Sequence, residues 1–254
     1  MVNSIGSLCN AYNSSITVQS AELEDVTFSK MFIYLSHSNA SLAHVTIKDA
    51  MFGDEGSFIT ASGQSYVRLS ALSLMRLSAS DHGLISLDKS TLMISSSTIA
   101  NLNVSFIIAR QAVISIVDTE VRDMELGQSQ KPLGQVPDGG LLLCTNCPHI
   151  VISATRCRNI SAKRGGVVYA QVTSQDLQAT LVVEQSRFEA CLAITYGGAI
   201  YTENTNLTVF QSEFTNNLAL HGGAVNFESE SHHLVISNSS FALNSARITG
   251  ACLR

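Results

Sequence analysis

The chain has 254 residues, of which 45% are hydrophobic and 14% are charged, and its net charge is −5. This apolar fraction excludes an intrinsically disordered chain, and the acidic balance offers no basic surface for nucleic acid. The most apolar run, residues 104–117, is too short to span a membrane and is interrupted by Arg110 and Gln111. We therefore expect no nucleic-acid partner and no membrane insertion by this segment, and we find no motif that calls for a cofactor.

One apolar pattern recurs along the chain. Apolar or small residues occupy positions i, i+2, i+5, i+7 and i+10 of each copy, which makes two period-2 pairs separated by a corner. In chain order, the nine copies begin at Ala21, Ala40, Val67, Leu92, Ile114, Ile150, Leu181, Leu207 and Leu234. Paired alternation of this kind indicates short strands, and no copy carries the stripe of an amphipathic helix.

A third apolar run follows each copy and is usually announced by glycine, as in GGLLLC, GGVVYA, GGAIYT and GGAVNF. Three short strands and three corners per repeat are typical of a parallel β-helix. We predict an all-β fold, a single-stranded right-handed parallel β-helix (solenoid) of about nine rungs with three short strands per rung. Residues 1–254 then form a single β-helix domain, in which 1–20 are a poorly defined first rung and 125–138 and 171–180 are loop insertions.

The pattern also predicts the core. The residues at i+7 should form one inward stack: Phe28, Ile47, Leu74, Ile99, Val121, Cys157, Phe188, Phe214 and Phe241. Within it, Phe188, Phe214 and Phe241 are predicted to be an aromatic ladder. Asn217 and Asn244 at i+10 are predicted to satisfy bare backbone groups at a corner and to bond to each other. The hydroxyl residues at i+5, from Ser97 onward, suit a tight inner corner.

Four short motifs carry a family resemblance. They are FTNN at 214–217, FALN at 241–244, GGAI at 197–200 and GGAV at 222–225. Together they resemble the repeats of chlamydial polymorphic outer-membrane proteins, within the pectin-lyase-like superfamily, over about residues 181–252. Cys191 stands where the motif has Asn, and the last repeat has TGAC in place of GGA. The resemblance implies a passenger-type surface rod used in adhesion.

Two function classes follow from this interpretation. The favoured one is an extracellular or cell-surface structural and adhesive binding module, non-catalytic, with glycans or surface proteins as partners. The alternative is a carbohydrate-active enzyme, either a polysaccharide lyase or a glycoside hydrolase of the pectin-lyase-like class.

Such an enzyme needs clustered carboxylates. The acidic candidates are predicted to lie scattered over different rungs and corners: Asp54, Glu55, Asp81, Glu203, Glu228 and Glu230. His82-Gly83 and His221-Gly222 resemble the His-Gly of polygalacturonases, but each pair merely leads into a corner glycine. We therefore assign no catalytic residue.

The six cysteines leave three interpretations open. Cys144, Cys157, Cys191 and Cys252 fall at inward positions, where buried free thiols behave as small hydrophobic groups. The run CTNCPH at 144–149 would also allow a link between Cys144 and Cys147, or a zinc site with Cys157. We favour buried thiols and predict no metal site, and we interpret the adjacent His232 and His233 as a polar corner.

A binding face is predicted on the third strands. Tyr169 and Tyr201 lie three residues past the second glycine of adjacent repeats and should point outward, followed by Asn226. The two loop insertions are predicted to flank this face. Exposed aromatic side chains beside loops suit the recognition of a sugar or a protein.

Six N-x-S/T sequons and the chain ends bear on location. The sequons are at Asn13, Asn39, Asn103, Asn159, Asn206 and Asn238. They are predicted to lie outside the core, as a secreted glycoprotein requires.

The final GACLR falls inside a third strand, so we expect a fragment of a longer protein whose open solenoid ends self-associate.

Overall fold

The computed structural model describes residues 3–5, 9–29, 31–53, 56–79, 83–126, 136–174 and 177–253. Every regular element in these ranges is a β-strand. None of the described segments is therefore a helix able to cross a membrane.

The strands follow one another in coils. The chain begins with β1 (Asn3–Ile5). The first three coils contain β2 (Cys9–Tyr12), β3 (Ser15–Glu24) and β4 (Val26–Phe28); β5 (Ile33–Ser36), β6 (Asn39–Lys48) and β7 (Met51–Phe52); and β8 (Ile59–Ser62), β9 (Tyr66–Ser70) and β10 (Ser73–Met75). The next three contain β11 (Ile85–Asp88), β12 (Thr91–Ser95) and β13 (Thr98–Leu102); β14 (Ile107–Arg110), β15 (Val113–Val117) and β16 (Glu120–Glu125); and β17 (Leu142–Thr145), β18 (His149–Ser153) and β19 (Arg156–Arg164). The last three contain β20 (Val168–Gln171), β21 (Thr180–Glu184), β22 (Arg187–Glu189) and β23 (Leu192–Tyr196); β24 (Ile200–Glu203), β25 (Asn206–Phe210), β26 (Glu213–Thr215) and β27 (Leu218–His221); and β28 (Val225–Glu228), β29 (Leu234–Ser237), β30 (Ser240–Ala242) and β31 (Ser245–Thr249).

The strands of each coil pair in parallel with strands of the next coil. One sheet of nine strands runs through the first strand of every coil, in the order β2-β5-β8-β11-β14-β17-β20-β24-β28. We call it the nine-strand sheet. A second sheet of 19 strands takes most of the remaining strands, and β1, β4 and β7 form a three-strand sheet. This pairing confirms the predicted parallel β-solenoid of about nine turns.

The register of the second to ninth copies agrees with the sequence pattern. At i+7, Ile47 pairs with Leu74, and the column continues through Ile99, Val121, Cys157, Phe188, Phe214 and Phe241. The members from Ile47 to Phe214 are buried, and Phe241 packs against the core from the last coil. The Phe188 and Phe214 rings stack with centroids 4.8 Å apart, and the Phe214 and Phe241 rings 4.7 Å apart.

The register predicted for the first repeat was wrong. Ala21 and Leu23 pair with Val45 and Ile47, so Leu23 occupies the i+7 column in place of Phe28. The first repeat therefore begins at Ile16, within the segment predicted to be poorly defined. Phe28 is buried elsewhere, in β4 of the three-strand sheet, where it stacks on its pairing partner Phe52 at 5.0 Å. The predicted register was wrong because Val26 and Phe28 continue the same period-2 alternation beyond the long strand β3.

The last three coils contain four strands each, whereas the repeat predicted three. The additional strands β23, β27 and β31 pair with one another, and β23 also pairs with the end of β19. They arise where the chain stays extended between the i+10 corner and the glycine pair. This additional layer determines what covers the outer face of the nine-strand sheet.

The glycine pairs meet two separate steric demands, as Gly197 and Gly198 illustrate. Gly197 has a φ of 63°, and a Cβ there would collide with the carbonyl oxygen of Ile200. A Cβ on Gly198 would collide with the carbonyl oxygen of Gly223 in the next coil. The first glycine therefore permits the turn, and the second permits adjacent coils to approach.

Two corners place a residue in the left-handed region in every coil. Five residues after the start of each repeat from the fourth onward, beginning with Ser97, a hydroxyl group closes the first of these corners. The Ser212 hydroxyl donates to Phe210 O at 2.9 Å and accepts from Ser186 N at 3.1 Å. Ser239 repeats the arrangement beneath Ser212, at 2.8 and 3.1 Å. These hydroxyl groups thus supply the hydrogen bonds that the backbone cannot make while it turns.

The cysteines divide into a linked pair and free thiols. Cys144 and Cys147 form a disulfide, so the expectation that Cys144 is a free thiol was wrong, although its side chain is buried as predicted. Cys157 and Cys191 are free and buried, and burial raises the pKa of Cys191 to about 12. Within the described ranges, no group of three or more His, Cys, Asp or Glu side chains is arranged to hold a metal ion.

The last coil is more open than the interior coils. Its apolar side chains Val235, Leu243 and Ile248 are 51%, 78% and 62% exposed. Self-association through the coil ends remains a prediction.

Candidate functional site

The outer face of the nine-strand sheet carries a polar cluster on β20, β24 and β28. These strands align Tyr169 with Tyr201 and Asn226, and Gln171 with Glu203 and Glu228. Val168, Ile200 and Val225, the residues that alternate with these, belong to the hydrophobic core. Because successive side chains of a strand point to opposite faces, both polar columns lie on the outer face.

The predicted exposure of the binding residues was wrong. Tyr169 and Tyr201 are each 3% exposed, and Asn226 is 1% exposed. The two tyrosine rings stack with centroids 5.2 Å apart. The Arg164 guanidinium lies over the Tyr169 ring at 4.5 Å, and Tyr196 packs on Tyr201 with centroids 5.9 Å apart. The tyrosines point outward but are covered, so they are no open platform for a sugar ring.

The covering residues occupy the position immediately before each glycine pair. Arg164 pairs with Tyr196, and Tyr196 pairs with His221, so the three form one column. The His221 ring stacks on Tyr196 at 5.1 Å, and its Nδ1 lies 2.8 Å from Thr249 Oγ1. The sequence interpretation missed Arg164 and Tyr196. Their shared place before a Gly-Gly pair is the signal that could have identified them.

Arg164 is fixed by Asp138. Its Nε and Nη2 donate to Asp138 Oδ1 and Oδ2 at 2.9 and 2.7 Å. This bidentate hydrogen bond raises the pKa of Arg164 above its usual value. Partial burial acts in the opposite direction but is the smaller effect. Asp138 ends the predicted insertion 125–138, of which residues 127–135 lie outside the described ranges.

Two carboxylates converge beneath the tyrosines. Tyr201 Oη lies 3.0 Å from Glu228 Oε2 and 3.3 Å from Glu203 Oε2. Gln171 Nε2 donates to Glu203 at 2.9 Å and its Oε1 accepts from Tyr169 Oη at 2.9 Å. Burial and then these carboxylates raise the pKa of Tyr201, and burial raises that of Tyr169 to about 12. The two tyrosines are therefore neutral donors at physiological pH.

The prediction that the acidic residues lie scattered was wrong for three of them. Glu203, Glu228 and Glu230 all line one groove of about 790 Å³. Its other walls come from residues 172–174 of the predicted insertion 171–180 and from the corner that contains His232. The remaining acidic candidates, Asp54, Glu55 and Asp81, lie outside the described residues together with His82.

Among the described residues that line this groove, two buried side-chain atoms have no hydrogen-bond partner. They are Asn226 Oδ1 and His232 Nε2. Ser229 Oγ accepts from the backbone N–H groups of Ser231 and His232 at 3.3 and 3.1 Å, so both of its lone pairs are used. Its hydroxyl hydrogen must then point to His232 Nδ1 at 2.8 Å, which assigns the ring proton to Nε2. His232 thus contributes an unpaired donor, and Asn226 an unpaired acceptor.

None of the six sequon asparagines is buried. Asn13, Asn39, Asn103, Asn159 and Asn238 are exposed, and Asn206 is half-buried. The Asn159 side-chain amide donates to Asp123 Oδ1 at 2.9 Å, and Asn206 Oδ1 accepts from His233 N at 2.9 Å. This placement is compatible with glycosylation and does not test it.

Comparisons with known proteins return no match. No family model, no curated protein and no solved structure matches this chain. The chain is a parallel β-solenoid. Its likeness to the polymorphic membrane protein repeats rests on the quoted motifs.

Proposed function

We propose that the chain is a structural and adhesive binding module, non-catalytic, of an extracellular or cell-surface protein. The observation that carries this proposal is the acidic groove on the outer face of the nine-strand sheet, with Glu203 and Glu228 at its base. A solenoid is a rigid, extended scaffold, and the groove lies on two of its strands, β24 and β28, and on the segments that follow β20, β24 and β28.

The groove is preorganised for binding. Glu203 is held by Gln171, and Glu228 is held by the nearer Tyr201 hydroxyl. Side chains fixed in this way lose little conformational entropy when a ligand binds. The unpaired polar atoms of Asn226 and His232 add groups that a ligand can satisfy.

The family resemblance supports the location. The F-x-x-N and GGA[ILV] motifs resemble repeats of surface proteins used in adhesion, and the six sequons avoid the core. Glycans and surface proteins are therefore the partner classes that we propose.

The test is a binding screen of residues 1–254 on arrays of glycans and of surface proteins. The double substitution Glu203→Gln with Glu228→Gln removes two groove charges while preserving shape. Glu184→Gln in β21, outside the groove, is the matched control. We expect ligands that bind wild type and the control but not the double variant. Ligands that bind all three proteins equally would contradict a role for this face.

One observation favours a second candidate, the carbohydrate-active enzyme. Glu203 and Glu228 share the Tyr201 hydroxyl within one groove, and glycosidases use paired carboxylates. An enzyme would release new reducing ends from a polysaccharide panel and would lose that activity in Glu228→Gln. The binding module would retain its ligand without turnover.

A further inference from the structure

We infer that the groove recognises an arginine side chain in a basic peptide segment of a partner protein. The inference deepens the proposed binding function and depends on it. It specifies the ligand chemistry of the same site.

The charge of the groove selects a cation. Glu203, Glu228 and Glu230 line it, and the described residues of its lining include no lysine or arginine. Arg164, which lies close to the tyrosines, is paired with Asp138 and is not part of the lining. A cleft lined by one sign of charge focuses its field on ligands of the opposite sign. An acidic polysaccharide would be repelled.

The hydrogen-bonding groups select a donor-rich cation. The Glu203 and Glu228 carboxylates are acceptors, and the 1% exposed Asn226 carries an amide oxygen with no partner. A guanidinium presents five N–H donors in a planar fork, which suits several acceptors better than the compact head of lysine. The bound guanidinium pairs with the carboxylates, and a small rotation of the Asn226 side chain brings its oxygen to a remaining N–H.

The rest of the lining suits a peptide. Val172 and Phe227 also line the groove, but Val172 is 3% exposed and Phe227 packs against the core, so they open little apolar surface to a ligand. The unpaired His232 Nε2–H faces the same groove as a donor, and a backbone carbonyl of the ligand satisfies it. An arginine-containing peptide thus supplies a cation and an acceptor together.

A cationic amino sugar fits less well. Sugar rings are commonly bound against an open aromatic face. Tyr169 and Tyr201 are each 3% exposed and are covered by Arg164 and Tyr196. Phe227 packs against the core, so the described part of the groove offers charge without an open aromatic face, which favours the side chain of a peptide.

Fluorescence anisotropy with designed peptides tests the inference. The probe is a fluorescein-labelled nonapeptide with three arginines separated by glycine and serine, and its control replaces arginine with citrulline. Citrulline keeps the shape and loses the charge, so we expect its affinity to fall by about tenfold or more. Glu203→Gln and Glu228→Gln should each weaken the arginine peptide by roughly three- to tenfold, whereas Glu184→Gln should leave it unchanged.

Asn226→Leu separates ligand recognition from structural support. It removes the unpaired buried amide, so the melting temperature should stay equal or rise while the affinity for the arginine peptide falls. An amide that merely supported the fold would lower the melting temperature when removed. Circular dichroism of each variant establishes that the solenoid is intact.

Three results would overturn the inference. The first is equal binding of the arginine and citrulline peptides, and the second is equal weakening by Glu203→Gln and Glu184→Gln. The third is a glucosamine oligosaccharide that binds more tightly than the peptide and displaces it, which would assign the groove to amino sugars. In each case the array screen decides the proposed function separately. Ligands whose binding is lost only in the groove variants would support the proposed binding module. A screen that finds no such ligand would contradict it.

Discussion

The side-chain amide of Asn217 donates a hydrogen bond to Oδ1 of Asn244 in the next coil, at 2.9 Å. The same Oδ1 accepts from the backbone N–H of Asn217, also at 2.9 Å. Asn217 in turn accepts from Cys191 N at 3.0 Å and donates to Phe188 O at 3.1 Å. Each inward amide thus closes the corner of the preceding coil, where the sheet hydrogen bonds are interrupted.

Replacing Asn217 with leucine should strongly destabilise the fold. The substitution leaves the Cys191 N–H, the Phe188 carbonyl and part of the Asn244 amide unpaired inside the protein. Each such group costs about 1–3 kcal/mol, so we expect the free energy of unfolding to fall by roughly 3–5 kcal/mol. Urea denaturation measures it, and Asn103→Leu at an exposed position should change it by less than about 0.5 kcal/mol. Similar values for the two variants would contradict this role.

The aromatic stack predicts a graded series. Phe214 lies between Phe188 and Phe241 and is fully buried, so Phe214→Ala should lower the free energy of unfolding by about 3–5 kcal/mol. Phe241 belongs to the last coil and is only partly buried, so Phe241→Ala should cost clearly less. Denaturation of the two variants under one condition tests the order. An equal cost would show that the last coil is as well covered as the interior.

Ala154 should tolerate glycine better than an ordinary strand alanine does. It is exposed and has a φ of 48°, a conformation that costs an L-residue about 1 kcal/mol and glycine very little. Ala154→Gly should therefore leave the stability unchanged or raise it by up to about 1 kcal/mol. Ala242→Gly, in the exposed strand β30, should lower it by about 0.5–1 kcal/mol. Thermal unfolding of both variants gives the sign of each effect.

Asn159 should affect how the stability of the solenoid depends on pH in the acid range. Its hydrogen bond to Asp123, aided by Arg122, lowers the pKa of Asp123 below its usual value. A lowered folded pKa stabilises the protein above the unfolded pKa, and that stability is lost as pH falls through the folded pKa. Asn159→Ala should raise the pKa of Asp123 in an NMR titration. It should also reduce stability at neutral pH, and the reduction should shrink toward pH 2, where Asp123 is protonated in both proteins. A stability difference that stays constant with pH would exclude this linkage.

Much of the solenoid could be predicted because the alternation of inward and outward residues within each short strand specifies it locally. The spacing of Leu207, Val209, Ser212, Phe214 and Asn217 specifies two strands and a corner by itself. The inward direction of these side chains follows from the period of a strand, and their stacking follows from repetition. The outward direction of Tyr169 and Tyr201 was also implied, because it needs only the same alternation.

The tertiary structure decided which outward residues meet and which are covered. Gln171 and Glu203 are 32 residues apart, and Tyr201 and Glu228 are 27 apart, so their contact depends on the length of the intervening coil. The carboxylates therefore appeared scattered along the sequence although the coils bring them into one groove. Likewise, Tyr169 is buried by Arg164 and by the additional strand layer. The alternation of side chains along β20 does not predict either contact. Alternation determines the face on which a side chain lies, but its exposure depends on what the other coils place above it.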